Sequence, residues 1–189
     1  MNPETYLSIL SVAEKLKCST RHSWTSNGRH ESVAEHSWRL ALMAMLAKDE
    51  FPDLDMDKVL RMCLIHDLGE AFTGDIPAFE KTDSDEAVES QQLYGWVNTF
   101  PEPAKTEFLD LYHEMEALET KEARLYKAMD KLEALIQHDE AELSTWLPLE
   151  YELQLTYGSD LMDLTPWLRS LRSAVDDWTR RKIQQGMTE

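Results

Sequence analysis

The sequence is poor in the residues that staple, break or embed a fold. Two cysteines, Cys18 and Cys63, in 189 residues leave no disulfide framework, and Cys63, inside the run VLRMCLI, is expected to be a reduced core thiol. Seven prolines and six glycines are too few for a collagenous or low-complexity chain. No window approaches 18 uncharged apolar residues, so no membrane-spanning helix is expected. The opening MNPETYLSILSVAEKLK interleaves Glu and Lys with its apolar residues, unlike a secretory leader. Basic residues are scarce, 19 against 36 acidic, for a formal net charge of -17. A surface of that sign repels nucleic-acid backbones and anionic lipid, which argues against a nucleic-acid polymer or a membrane as partner. It does not exclude a small phosphorylated ligand, because a cation bound in a cleft reverses the local field. These absences predict a soluble chain in a reducing, cytoplasmic setting.

Sheet signals are also missing: no run shows even alternation or β-branched enrichment. Nothing repeats at a fixed period. What is present is helical patterning over nearly the whole length, with 42% hydrophobic residues. A chain of this size buries roughly 70% of its extended surface, enough for one core. The expectation is an all-α, compact single-domain bundle of about seven helices spanning residues 1–189, with the motif-bearing core at about 7–140 and C-terminal helices within 146–183. The first helix is expected from Pro3 to Lys17, followed by a polar loop from Cys18 to Glu31. Ser32 and Glu35 form a capping box that starts the second helix. The third starts near Asp55 or Asp57 and runs toward Gly69. Thr120 caps a long, almost breaker-free helix, and Thr165-Pro166 opens the last one.

Against this apolar background a few polar residues stand out. His36 falls in the first turn of the capped helix. His66 and Asp67 end an apolar helical run, and Glu70 follows. Acids at a helix C-terminus oppose the helix dipole, costing a few tenths of a kcal/mol unless a cation compensates. Imidazole with carboxylate suits a borderline or hard divalent ion. Asp130 lies roughly opposite the main apolar stripe of its helix, so periodicity alone leaves it as a solvated residue. Alternatively, that helix runs through the centre, with Ala123 and Ala134 allowing close approach of a neighbour.

The pattern His36, then His66-Asp67, then Asp130 resembles the HD superfamily of metal-dependent phosphohydrolases. The blocks ESVAEHSWRLALMAMLA and LIHDLGEAFTGDIP are similar to the 5'-deoxynucleotidase and HD domain-containing protein 2 branch. That resemblance implies an HD-type helical fold with His36, His66, Asp67 and Asp130 as ligands of a divalent metal (Mn, Co, Mg or Zn). It implies Glu70 and Asp75 as the acids that activate water and protonate the leaving ribose oxygen, and Arg21 and Trp24 as contacts to phosphate and to sugar or base. The activity implied is release of phosphate from (deoxy)nucleoside 5'-monophosphates, in a homodimer. His22 and Ser23 separate Arg21 from Trp24, whereas bacterial nucleotidases of the branch place that pair side by side.

Two other readings compete. Hydrolases of guanosine polyphosphates or cyclic nucleotides share the His-Asp pair, but this chain lacks the additional paired histidines of a two-metal site. A non-catalytic, metal-binding helical adaptor would retain the ligands without turnover. Arg29 and His30, just before the capped helix, read either as ordinary loop residues or as a second positive contact, and the acidic set Asp49 to Asp57 as a solvated loop and helix start, since its spacing fits no calcium loop.

Overall fold

The computed structural model describes residues 1–187. Helix α1 (Pro3–Ala13) is capped by Asn2, whose side chain accepts from Thr5 N–H, and continues as a 3-10 turn over Glu14–Lys17. The polar stretch that follows departs from the expected loop. Strands β1 (Thr20–Trp24) and β2 (His30–Ser32) pair antiparallel across an irregularity between Thr20 and Trp24. Gly28, at φ 82°, supplies the left-handed residue that closes the turn, with its N–H on Thr25 C=O. The strands lack alternation because the hairpin lies on α7 instead of forming one layer of a sheet. The architecture is therefore a predominantly α-helical single-domain bundle with minor β content.

Helix α2 (Val33–Leu46) starts at the anticipated capping box: Glu35 N–H donates to Ser32 Oγ at 3.3 Å, and Ser32 N–H donates to the Glu35 carboxylate at 2.9 Å. Arg29 grips that carboxylate with two nitrogens at 2.6 and 2.9 Å, fastening the hairpin to the helix. Helix α3 (Met56–Ile65), capped by Asp55, stops just short of His66 instead of reaching Gly69. The short α4 (Glu70–Thr73) then leads into Gly74, at φ 77°. Helices α5 (Asp83–Val97) and α6 (Ala104–Ala117) precede α7 (Lys121–Glu140), which Thr120 caps. The chain closes with α8 (Glu150–Thr156), a 3-10 segment (Ser159–Leu164) and α9 (Pro166–Gly186).

Helix α7 is the axis of the bundle. It packs against α2, α3, α6, α9 and β1. Its buried positions include Leu125, Met129 and Leu132 on the apolar stripe, and also Ala123, Tyr126, Glu133 and Gln137 on the other side. Of the two placements left open for Asp130, the central one is found. Leu40, Met62, Leu125 and Leu132 are fully buried, each stabilising the fold by roughly 1.5–3 kcal/mol relative to exposure. Cys63 is buried, and burial pushes its thiol pKa up, as befits an inert core thiol. Among the described residues no helix is long and apolar enough to cross a membrane.

Candidate metal centre and substrate cleft

Three separate segments bring four side chains to one point. His36 comes from the first turn of α2, His66 and Asp67 from the turn that ends α3, and Asp130 from the middle of α7. His36 Nε2 lies 3.2 Å from His66 Nε2, 3.1 Å from Asp130 Oδ1 and 3.8 Å from Asp67 Oδ2. His66 Nε2 is 3.0 Å from Asp67 Oδ2 and 3.5 Å from Asp130 Oδ1. Donors about 2.1 Å from one ion lie about 3.0 Å apart at a right angle and about 3.4 Å apart at the tetrahedral angle. His36, His66 and Asp67 form a grouping with the dimensions of a coordination shell, and Asp130 Oδ1 lies beside both imidazoles.

The imidazoles are oriented from behind. His36, fully buried, hydrogen-bonds through Nδ1 to Glu133, and His66 Nδ1 lies 3.0 Å from Cys63 C=O. Both outer nitrogens face acceptors, which assigns them the N–H and leaves each Nε2 lone pair directed inward. On the opposite wall Lys127 Nζ holds Asp130 Oδ2 at 2.8 Å, leaving Oδ1 for the centre. Crowding of this kind demands a shared positive charge. Burial opposes protonation of His66, yet the Asp67 and Asp130 carboxylates outweigh it and push its pKa up to about 10. Burial also opposes ionisation of Asp67 and Asp130, but the His66 charge holds Asp67 low, and Lys127 with the two histidines holds Asp130 low. A proton supplies in the protein alone what a divalent cation would supply better. The donor set fits a divalent metal.

The other expected residues divide. Arg21, on β1, reaches the centre's edge. Its Nε lies 3.9 Å from Glu31 and its NH1 4.0 Å from Glu133, and NH1 is buried with no hydrogen-bond partner. Burial disfavours its charge, but Asp67, Glu133, Glu31 and Asp75 together raise its pKa. A guanidinium held by charge, with a donor unused, is suited to an incoming oxyanion. Glu70 is buried with Oε2 unpartnered, and burial plus the Asp67 and Asp75 carboxylates push its pKa up to about 9. Asp75 sits just beyond Gly74. Its pKa is raised by burial despite Arg21.

Arg21 and Asp75 also line a cleft with about 620 Å³ of empty space, part of it open to solvent. Trp24 does not line it: its indole packs on His30, with ring centroids 3.9 Å apart, and its carbonyl accepts from Gln137. Arg29 is occupied by Glu35.

Sequence reasoning did not single out Glu133, Glu31, Lys127, His22, His138 or Glu150. Glu133 and Lys127 each stand three residues from Asp130, which is helical spacing for a shared side, so that offset could have found them. Glu133 is fully buried and also receives Arg39 Nε at 2.5 Å. Glu31, buried beside Glu133, has its pKa pushed up to about 7 by burial and by that neighbouring charge. Glu31, His36 and Glu133 form a second grouping of close donor atoms. His138 lies further along the same helix, whereas His22 and Glu150 come from segments with no local pattern.

A fold in which distant helices converge two imidazoles and two carboxylates in this way defines the HD class of metal-dependent hydrolases. The HD domain family model matches residues 13–171, and the chain belongs to that family. It is a divalent-metal-dependent phosphohydrolase of the HD type. Its relatives include the 5'-deoxynucleotidase HDDC2 of Dictyostelium discoideum, 33% identical over 147 residues that cover 72% of this chain and 77% of the relative. The human 5'-deoxynucleotidase HDDC2 is 31% identical over 140 residues, covering 72% of this chain and 68% of the relative. Among solved structures, a predicted metal-dependent phosphohydrolase from Magnetospirillum magnetotacticum MS-1 superposes with a TM-score of 0.82 at 27% identity, over 97% of this chain and 93% of the other.

Proposed function

We propose that this chain releases inorganic phosphate from 2'-deoxynucleoside 5'-monophosphates, with His36, His66, Asp67 and Asp130 holding one divalent ion. The observation that carries this reading is the convergence of four donors, oriented from behind by Glu133 and Cys63 C=O, beside a cleft that begins at Arg21 and Asp75. The relatives named as 5'-deoxynucleotidases support the substrate class. A bound divalent ion supplies Lewis acidity and a water of lowered pKa.

The chain's own groups do the rest. Arg21 takes the phosphate oxygens with its unused NH1 and neutralises charge that builds in the transition state. Glu70, whose pKa stands near 9, keeps a proton near neutral pH and donates it to the leaving 5'-oxygen. Asp75, on the far side of Arg21, orients the attacking water. Trp24 bears on the ligand only indirectly, by fixing the hairpin through its carbonyl bond to Gln137. A homodimer in the cytoplasm completes the proposal.

The test is phosphate release from a panel of ribo- and deoxynucleoside monophosphates with Mn²⁺, Co²⁺, Mg²⁺ and Zn²⁺. Preferential turnover of the 2'-deoxy series is the expected result. Metal binding without phosphate release from any nucleotide would leave the adaptor reading in its place.

A further inference from the structure

Besides Arg21 and Asp75, the cleft is lined by a second polar cluster of His22, His138 and Glu150, from β1, α7 and α8. Glu150, at the start of α8, is buried, and Leu147 N–H donates to its Oε2 at 2.6 Å. His22 Nε2 lies 2.9 Å from Glu150 Oε1, and His138 Nε2 lies 3.4 Å from Oε2. Neither imidazole nitrogen is aligned to hydrogen-bond it. Among the described residues, the one well-formed hydrogen bond on this carboxylate is from Leu147. Burial works against ionisation of Glu150, but His138 and the Leu147 N–H prevail and lower its pKa.

The flanks are shaped for a ring. Phe79 meets His22 edge to face, with centroids 5.5 Å apart, and Leu135 and Leu153 supply apolar wall. His138 is clamped by Trp146, which stacks on it at 4.4 Å and donates Nε1–H to its carbonyl. The two ends of the cleft differ in sign. Arg21, beside the metal centre, offers donors to an anion, whereas Glu150 offers a fixed acceptor and repels one. His22, next to Arg21 on β1, places its ring beside Glu150.

Resting on the phosphohydrolase reading above, we infer that Glu150 is a specificity-determining residue: it accepts a hydrogen bond from an N–H on the edge of the substrate's nucleobase, between the His22 and His138 rings. The chemistry selects an uncharged, N–H-bearing ring at the end of the cleft remote from the phosphate. A site built to receive a donor discriminates strongly against an analogue that lacks it, because its own acceptor is then left buried and unpaired.

Adenine carries its only N–H donors on the 6-amino group, so the probes are 2'-deoxyadenosine 5'-monophosphate and the same nucleotide of unsubstituted purine. For the wild type, kcat/KM for the adenine nucleotide should exceed that for the purine nucleotide by about tenfold or more, as expected for a hydrogen bond to a charged acceptor. In Glu150→Leu, which removes the acceptor, the ratio should collapse toward one, whatever happens to the absolute rates, and Glu150→Asp should restore part of it. A purely structural Glu150 would lower both rates together and leave the ratio intact. Equal wild-type turnover of the two probes, or a ratio that survives Glu150→Leu, would overturn the inference and leave the hydrolase reading standing. No phosphate release from the adenine nucleotide by the metal-loaded wild type would overturn both.

Discussion

Two histidine pairs stand in this molecule, and they are assembled differently. His36 and His66 point their Nε2 atoms at each other across 3.2 Å, each fixed through Nδ1 by an acceptor behind it. His22 and His138 lie with ring centroids 6.5 Å apart, and the carboxylate between them aligns neither. The first pair, with Asp67, is a grouping of close donor atoms able to hold an ion; the second, with Glu150, is not. Residue types do not separate the two clusters, since both combine imidazole with carboxylate. Orientation from outside the cluster separates them.

The most severe way to break the first cluster is Asp67→Ala. Bound metal, measured by elemental analysis, should fall from one ion per chain to none, and kcat/KM should drop by about 10³-fold or more, because several kcal/mol of charge stabilisation goes with the ion. Glu133→Gln leaves His36, His66, Asp67 and Asp130 in place and removes only the charge behind His36. The metal dissociation constant should rise about 10- to 100-fold, as for other outer partners of metal-bound histidine; an unchanged constant would mean that the helices alone orient the ring.

A smaller effect concerns Glu35, which ties the hairpin carrying His22 to the helix carrying His36. Arg29 and the Ser32 cap lower its pKa to about 2, below an unfolded value of about 4.3. Its contribution to stability is therefore complete above about pH 4.3 and is lost as pH falls toward 2. Denaturant titrations should show a shallower decline across that window for Glu35→Gln than for the wild type. Finally, joint replacement of His22 and His138 by alanine should leave metal stoichiometry at one per chain. A loss there would erase the distinction between the pairs.

Most helices were legible because their boundaries carry local chemistry. Ser32 with Glu35, Thr120 and Thr165 cap as anticipated, and the third helix starts beside Asp55, one of its two expected starts. The hairpin was not legible: its strands gain their place from α7, and TRHSW shows no alternation of its own. His36, His66, Asp67 and Asp130 came from motif resemblance, not from any local pattern; in the structure Asp67 and Asp130 both lie against the His36 and His66 imidazoles. Asp130 by itself was ambiguous, since an amphipathic reading of α7 assumes one wet face and this helix is buried on most sides. Trp24 was picked as a ligand contact by its position in the motif, but the backbone bond to Gln137 keeps it on the hairpin, against His30.

The hydrogen bond from His36 to Glu133 joins residues 97 apart in the chain. A ribosome-bound chain that ends before α7 already contains His36, His66 and Asp67, yet neither Asp130 nor Glu133, the group that aims the His36 ring. Closing so long a loop costs entropy that only the assembled bundle repays. Tight capture of the ion thus coincides with completion of the fold, and a half-synthesised chain has little hold on the metals around it.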